Sequence, residues 1–319
     1  MELGIEGVYV GHYTDLENAT GCTVVLVPQG AVAGMDIRGG APGTRSCDPL
    51  MGFRSAGKVH AVLFTGGSTF GLGATDGVLR FLLEKGWGIK IDHLTIPLVP
   101  TAVIFDLFMG SSRVWPGPSE AYEACVNARS VTDLGTVGAG TGAVVGKLLG
   151  TPHGTKGGIG WSLVAGDGFK LGCLTVVNAF GDVVDPVTGR IMAGARDPET
   201  GSFVDTARSM KKGITREIPD FSTNTTLALI ITNAHLSRSG CIRVSQMAQT
   251  GMARVIKPLH TDFDGDLVIT LSLGENVADT NLIGLMAAEA LERSILSAVR
   301  GATSLHGILC GRDMDAHGA

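Results

Sequence analysis

Apolar runs of strand length recur along this chain, interleaved with stretches whose apolar residues fall at helical spacing. Thr23–Val27, Ala61–Phe64, Ala102–Phe105 and Leu174–Val177 are short and rich in Val, Ile and Leu, as strands are. Gly71–Leu83 places Leu72, Val78, Leu79, Leu82 and Leu83 on one helical face, and Ser119–Ala128 also reads as a helix. Further on, Thr225–Ile231 predicts a strand and Leu236–Ile256 a helix with Ser237 as its N-cap. Leu267–Leu273 alternates like a strand, and Asn276–Val299 is a long helix with an apolar stripe. Strands feeding a shared sheet, with helices packed outside it, give a layered α/β fold. No internal repeat is present, and the last nineteen residues carry no clear pattern.

With 319 residues and 44% hydrophobic content, the chain can bury a large core without disulfides or metals. Charged residues make up only 17%, which points to hidden surface and a subunit interface. The net charge of −5, without a basic block, argues against nucleic-acid binding. No apolar run approaches the ~20 residues that span a bilayer, so no membrane association is expected. The acidic start, Met-Glu-Leu-Gly-Ile-Glu, is unlike a signal peptide. Cys22, Cys47, Cys125, Cys173, Cys241 and Cys310 lie far apart without a CxxC, as reduced, buried thiols of a cytoplasmic protein do.

Several catalytic and cofactor signatures fail on inspection. Gly138, Gly140 and Ala143 satisfy the dinucleotide fingerprint, but no strong strand precedes them as phosphate binding requires. Close packing, or the lining of a cleft, explains the Gly135–Lys147 run better, and no cofactor is expected. The eight histidines form no ligand pattern, so no metal is expected. His260 beside Asp262 and Asp264 reads as a solvated loop. Ser68 misses the nucleophile-elbow pattern because Phe70 stands where glycine is required. Ser209 and Lys212 match SxxK without a supporting motif.

One junction is more informative. Residues 190–223 are polar and turn-rich, and a structureless segment of that length is uncommon inside a compact domain. It is expected to be a mobile functional loop or a boundary. It runs straight into a hydrophobic strand whose first residue, Thr225, carries a hydroxyl. That suits N-terminal nucleophile chemistry. The Thr225 hydroxyl attacks the Asn224 carbonyl, and the freed α-amine, of ordinary pKa about 7.7–8.0, becomes the base for the same hydroxyl. By spacing alone, a threonine opening a strand is also ordinary β propensity. The Asp262–Asp266 stretch enters the next strand with Asp264 and Asp266 two residues apart, so both carboxylates project to one face. Such a pair shares a proton readily. By pattern alone a solvated turn is the favoured reading.

Taken together, these residues resemble the family of L-aminopeptidase/D-esterases and β-aminopeptidases, which includes the endo-acting hydrolases of 6-aminohexanoate (nylon) oligomers. The resemblance runs through most of the chain. It includes the run from Val10 to Asp15, residues 65–78 and 99–106, the glycine-rich 135–147 stretch, Lys156–Gly160, Val177–Ala179 and the Asn224–Thr225 junction. It implies an αββα sandwich and a precursor that cuts itself after Asn224. Residues 1–224, ending in the polar 190–224 linker, would form a large subunit and residues 225–319 a small one, together making one structural domain. Thr225, Asp264 and Asp266 look most like the nylon-oligomer branch. The resemblance assigns Thr225 as nucleophile and base, Asn178 as oxyanion donor, Lys147 (with Lys156 as the alternative) as nearby positive charge, and Asp264 and Asp266 as helpers of autocleavage. A tyrosine found near the nucleophile in parts of the family corresponds to Phe105, a substrate-facing position here. The expected activity is hydrolysis of short linear amides bearing amino groups, by a homo-oligomer, a tetramer of cleaved protomers. The alternatives are an acyltransferase on the same scaffold and an uncleaved, non-catalytic homologue.

Overall fold

The computed structural model describes residues 1–52, 57–214 and 224–317. The main strands are β1 (Tyr9–Asp15), β2 (Thr20–Ile37), β3 (Val59–Thr65), β4 (Thr101–Val103), β5 (Gly158–Gly166), β6 (Phe169–Asn178), β7 (Asp182–Val184), β8 (Ile191–Ala193), β9 (Thr225–Thr232) and β10 (Leu267–Ser272). The main helices are α1 (Thr75–Glu84), α2 (Pro118–Val126), α3 (Thr206–Lys211), α4 (Arg238–Val255), α5 (Thr280–Gly301) and α6 (Gly311–His317).

Strand β2 organises the molecule. Its first half pairs with β1 and β3, its second half pairs with β10, and its register shifts between Leu26 and Ala31. One strand therefore serves two layers. In the first, β1, β2, β3 and β4 lie together; in the second, the order runs β5-β6-β9-β10-β2. The period-2 alternation of strand side chains sorts each strand's residues between two cores. Leu174, Val176, Leu227, Leu229, Ile231, Leu267 and Ile269 point inward and meet Val25, Val62 and Phe64 between the layers. Their neighbours Cys173, Val177, Ala228, Ile230 and Val268 point outward, under α4 and α5. On the opposite face, Val24, Leu26 and Leu63 pack against Val78 and Leu82 of α1 and Ala121 of α2. Each buried aliphatic side chain contributes roughly 1.5–3 kcal/mol. The result is a helix–sheet–sheet–helix sandwich, as expected.

Helices α4 and α5 cross closely because glycine allows it. A Cβ at Gly251 would sit 1.9 Å from the Ala288 carbonyl oxygen, which no side chain tolerates. Helix α4 is capped by Ser237, whose hydroxyl accepts the Gly240 N–H at 3.1 Å. Helix α5 starts at Thr280, four residues later than its apolar stripe suggests, because the Asp279 carboxylate caps the Asn281 N–H. Residues 71–83 divide into a short 3₁₀ turn and α1. The chain's end, patternless in sequence, carries α6. All six cysteines are buried and unpaired. No described helix is long and apolar enough to cross a membrane.

The polar segment is the main correction. Its described part, residues 190–214, is not a structureless linker: it holds β8, which pairs with β7, and α3, and a buried carboxylate helps to tie it to the body. Asp182 accepts the Ala195 N–H at 2.9 Å, the Thr206 N–H at 2.6 Å and the Thr206 hydroxyl at 2.7 Å. Composition misled here because groups outside the segment satisfy its backbone donors: the Asp182 carboxylate, the Thr155 hydroxyl on the Gly194 N–H and the His153 carbonyl on the Arg196 N–H. Residues 215–223, including Ser222 and Thr223 of the junction, lie outside the described residues.

Candidate active site

Strand β9 begins at the site. Thr225 is its first residue and pairs in register with Asn178, the last residue of antiparallel β6. Asn224 forms a parallel bridge with Asp264, just ahead of β10. The hydrophobic interiors of β6, β9 and β10 thus fix three polar strand ends at one edge of the sandwich. Asn224, Thr225, Asn178, Asp264 and Asp266 are all buried, with Thr225 6% exposed.

The Asn224–Thr225 peptide is held from both sides. The Thr225 hydroxyl donates to the carbonyl oxygen of Asn224. The Gly265 N–H donates to the same oxygen at 2.9 Å. The Asn224 side chain donates through Nδ2 to the Phe263 carbonyl at 3.1 Å, while its buried Oδ1 has no hydrogen-bond partner among the described residues. The hydroxyl thus lies beside the carbonyl it would attack, and the Gly265 N–H is a fixed donor to the oxygen on which charge would develop.

The carboxylates are not in a solvated turn, which corrects the reading favoured by pattern. Asp264 is 2% exposed and Asp266 fully buried; only Asp262 is at the surface. Asp264 accepts the Phe180 N–H at 3.1 Å and the Thr261 hydroxyl at 2.5 Å. Asp266 accepts the Thr226 N–H at 2.7 Å and lies 3.0 Å from Nδ1 of His260. The strand–strand core beneath them removes water from both. Burial first, then the neighbouring Asp266 charge, push the Asp264 carboxyl up to about 7, against the pull of Thr261, the Phe180 N–H and Lys147. Asp264 is therefore placed to hold a proton near neutral pH, with the Asp266 carboxylate as its neighbour. Among the described residues no group of three His, Cys, Asp or Glu side chains is arranged to hold a metal ion.

Lys147 and Lys156 separate clearly. Lys147 donates from Nζ to Oδ1 of Asn178 at 2.8 Å and to the Asn178 carbonyl at 3.0 Å, and its charge acts on Asp264. Lys156 instead donates to three carbonyls of the glycine-rich stretch and its neighbour. Asn178 is thereby oriented: Oδ1 accepts both Lys147 and the Val144 N–H, and Nδ2 donates to the Phe105 carbonyl at 3.3 Å. Phe105 contributes that carbonyl and a ring packed edge-on against Phe108 at 4.8 Å. A small cleft lined by Phe105, Phe108, Val144, Lys147, Thr151 and Asn178 leads to this point. The glycine-rich stretch forms a 3₁₀ turn at Gly138–Gly140 and packs tightly, as its small residues suggest.

Thr225, Asn224, Asn178, Lys147, Asp264, Asp266 and Phe105 thus lie around one edge of the sandwich, while Lys156 does not join them. Sequence reasoning missed Gly265, whose N–H holds the Asn224 carbonyl; its place between two acidic residues was the available signal. It also missed His260 as a partner of Asp266, Thr261 as a partner of Asp264, and the Val144 N–H on Asn178.

The model of peptidase family S58 matches residues 3–310. An aminopeptidase of Mycobacterium tuberculosis, itself uncharacterized, is 38% identical over 338 residues, covering 97% of this chain and 96% of that one. A 6-aminohexanoate-oligomer endohydrolase of Paenarthrobacter ureafaciens is 29% identical, covering 93% and 85%. Among solved structures, a Burkholderia β-aminopeptidase superposes with a TM-score of 0.70 at 20% identity, covering 98% of this chain and 90% of that one. The L-aminopeptidase D-Ala-esterase/amidase of Ochrobactrum anthropi, described as a variant of the Ntn hydrolase fold, gives 0.69 at 19% identity, covering 93% and 85%.

Proposed function

The chain belongs to peptidase family S58 and hydrolyses amide or peptide bonds, and from that premise we propose that it makes its own nucleophile by cutting the Asn224–Thr225 bond. The observation that carries this reading is the Asn224 carbonyl, touched by the Thr225 hydroxyl and by the Gly265 N–H together. Thr225 Oγ attacks the carbonyl carbon. The C–O bond forms, the hydroxyl proton leaves, the C–N bond breaks, and the departing nitrogen takes up a proton. An ester remains. Water hydrolyses it, freeing Asn224 as a carboxylate and Thr225 with both hydroxyl and α-amine. Asp264, its carboxyl raised to about 7 by burial and by the neighbouring Asp266 charge, is suited to exchange these protons. Residues 1–224 and 225–319 then remain associated, since β9 is central to its sheet.

In turnover, the Thr225 amine takes the proton of its own hydroxyl, and the acyl group of the substrate passes to Oγ and then to water. Asn178 Nδ2 and the Gly265 N–H serve the oxyanion, and Lys147 holds the Asn178 amide while countering the charge of Asp264. Phe105 lacks a hydroxyl and contributes shape to the acyl side of the cleft. The substrates are short linear amides bearing amino groups, peptides with unusual N-terminal residues or ω-amino-acid oligomers. The 29% identity to 6-aminohexanoate-oligomer endohydrolases supports the second class. The low charged content supports assembly of the processed protomers into a homo-oligomer.

The test is direct. Purified protein resolves into two bands on a denaturing gel, and the smaller begins Thr225-Thr226-Leu227. Thr225→Ala stays single-banded and inactive. Splitting of that variant at the same bond would remove the scheme.

A further inference from the structure

Lys156 has no part in the chemistry just described, yet it is one of the largest fully buried side chains in the molecule. It makes no ion pair among the described residues. Its Nζ donates to the carbonyls of Gly140, Ala143 and Gly157, each at 2.9 Å. An ammonium has three donors and no acceptor, so three carbonyls satisfy it completely. A neutral amine would turn a lone pair on one of them. Burial pushes the group down to about 7, against the pull of Asp106, so keeping a charge here costs free energy. A buried cation of this kind is costly, and an apolar side chain of similar volume could fill the same space.

What the ammonium holds is the strap that orients Asn178. Val144 pairs with Lys156, and the Gly157 N–H donates to the Ala143 carbonyl at 2.9 Å. The strap is mostly glycine and alanine, which lets it pack closely: a Cβ at Gly142 would lie 2.5 Å from Cβ of Asp106. At the strap's end the Val144 N–H donates to Asn178 Oδ1 at 3.0 Å. That bond, with the one from Lys147, commits Oδ1 and turns Nδ2 the other way.

We infer that Lys156 is a positioning residue for hydrolysis: it pins the strap from Gly138 to Val144, and through the Val144 N–H it fixes the side-chain amide of Asn178. The inference rests on Asn178 serving the oxyanion. A shift of the strap by a few tenths of an ångström loosens the Val144 bond and lets the amide rotate. The reacting geometry suffers while the cleft that binds substrate does not, so the loss falls on kcat.

The experiment is a double-mutant cycle on processed enzyme, with an amino-acid p-nitroanilide as substrate. Lys156→Met is expected to lower kcat roughly ten- to a hundredfold with little change in KM, the size of loss that small misplacements cause. In an Asn178→Ala background the same substitution is expected to lower kcat no further. Lys156→Gln, which keeps two N–H donors for the carbonyls, carries the same comparison should the Met variant not fold, with a smaller loss. Equal losses in both backgrounds, a loss confined to KM, or no loss overturn the inference. If Asn178→Ala alone leaves kcat unchanged, it is the oxyanion reading that fails, which is a separate and recognisable result.

Discussion

Asn178 and Thr225 stand opposite each other in register, one ending β6 and the other beginning β9. Because the strands are antiparallel, the backbone that positions the amide and the backbone that positions the hydroxyl are a single hydrogen-bonded unit. Inward-facing Val176 and Leu227, both fully buried, secure that unit from below. The site inherits its rigidity from the sandwich core. This is the arrangement that preorganised donors need.

Removing the amide should therefore be costly in rate alone. Asn178→Ala in processed protein is expected to reduce kcat by roughly 10²–10³, as the loss of one oxyanion donor does elsewhere. KM should change little. Steady-state kinetics decide; a purely KM effect would assign Asn178 to binding.

Crowding the nucleophile should slow self-cleavage. A Cβ on Gly265 would lie 3.0 Å from the Thr225 hydroxyl and 2.9 Å from the Ala41 carbonyl oxygen. Gly265→Ala is expected to displace the N–H that holds the Asn224 carbonyl and to let full-length precursor accumulate. A time course on denaturing gels measures this, and cleavage at the wild-type rate would exclude the Gly265 N–H from the step.

The two reactions should respond oppositely to pH. The Asp264 carboxyl is raised to about 7, so its proton is present below that pH and is lost as pH rises through it. Self-cleavage is expected to slow over that range. Turnover needs the unprotonated Thr225 amine, of ordinary pKa about 7.7–8.0, and should rise with pH. Profiles for precursor and processed enzyme measured separately test this. Parallel profiles would mean that the carboxylates do not supply the proton.

Asp182→Ala should unfasten residues 190–214. The substitution leaves the Ala195 N–H, the Thr206 N–H and the Thr206 hydroxyl without their acceptor, at about 1–3 kcal/mol for each donor that stays buried. Urea unfolding should report the loss, and limited proteolysis should cut within this segment well before the rest of the chain. Unchanged protection would mean that other contacts dock it.

The layers of the fold were legible because strand and helix periodicities persist over β6, β9, α4, β10 and α5. Family resemblance, more than spacing, carried the site: Asn178 and Thr225 are far apart in sequence, and only strand pairing brings them together. Two features were hidden for physical reasons. Asp264 and Asp266 look like a polar turn, since burial by Phe263, Phe180 and the strand ends cannot be seen in the local sequence. Residues 190–214 look unstructured because the groups that order them, the Asp182 carboxylate of β7 among them, lie outside the segment. Lys147 and Lys156 were separated only by what each ammonium touches.

The central claim is that the bond ahead of residue 225 breaks. Intact mass and amino-terminal sequencing of the purified protein measure it most directly. The account predicts two species, residues 1–224 and 225–319, the second opening with a free threonine, and a single full-length species for Thr225→Ala. An active wild-type protein that consists only of the unbroken chain would contradict it.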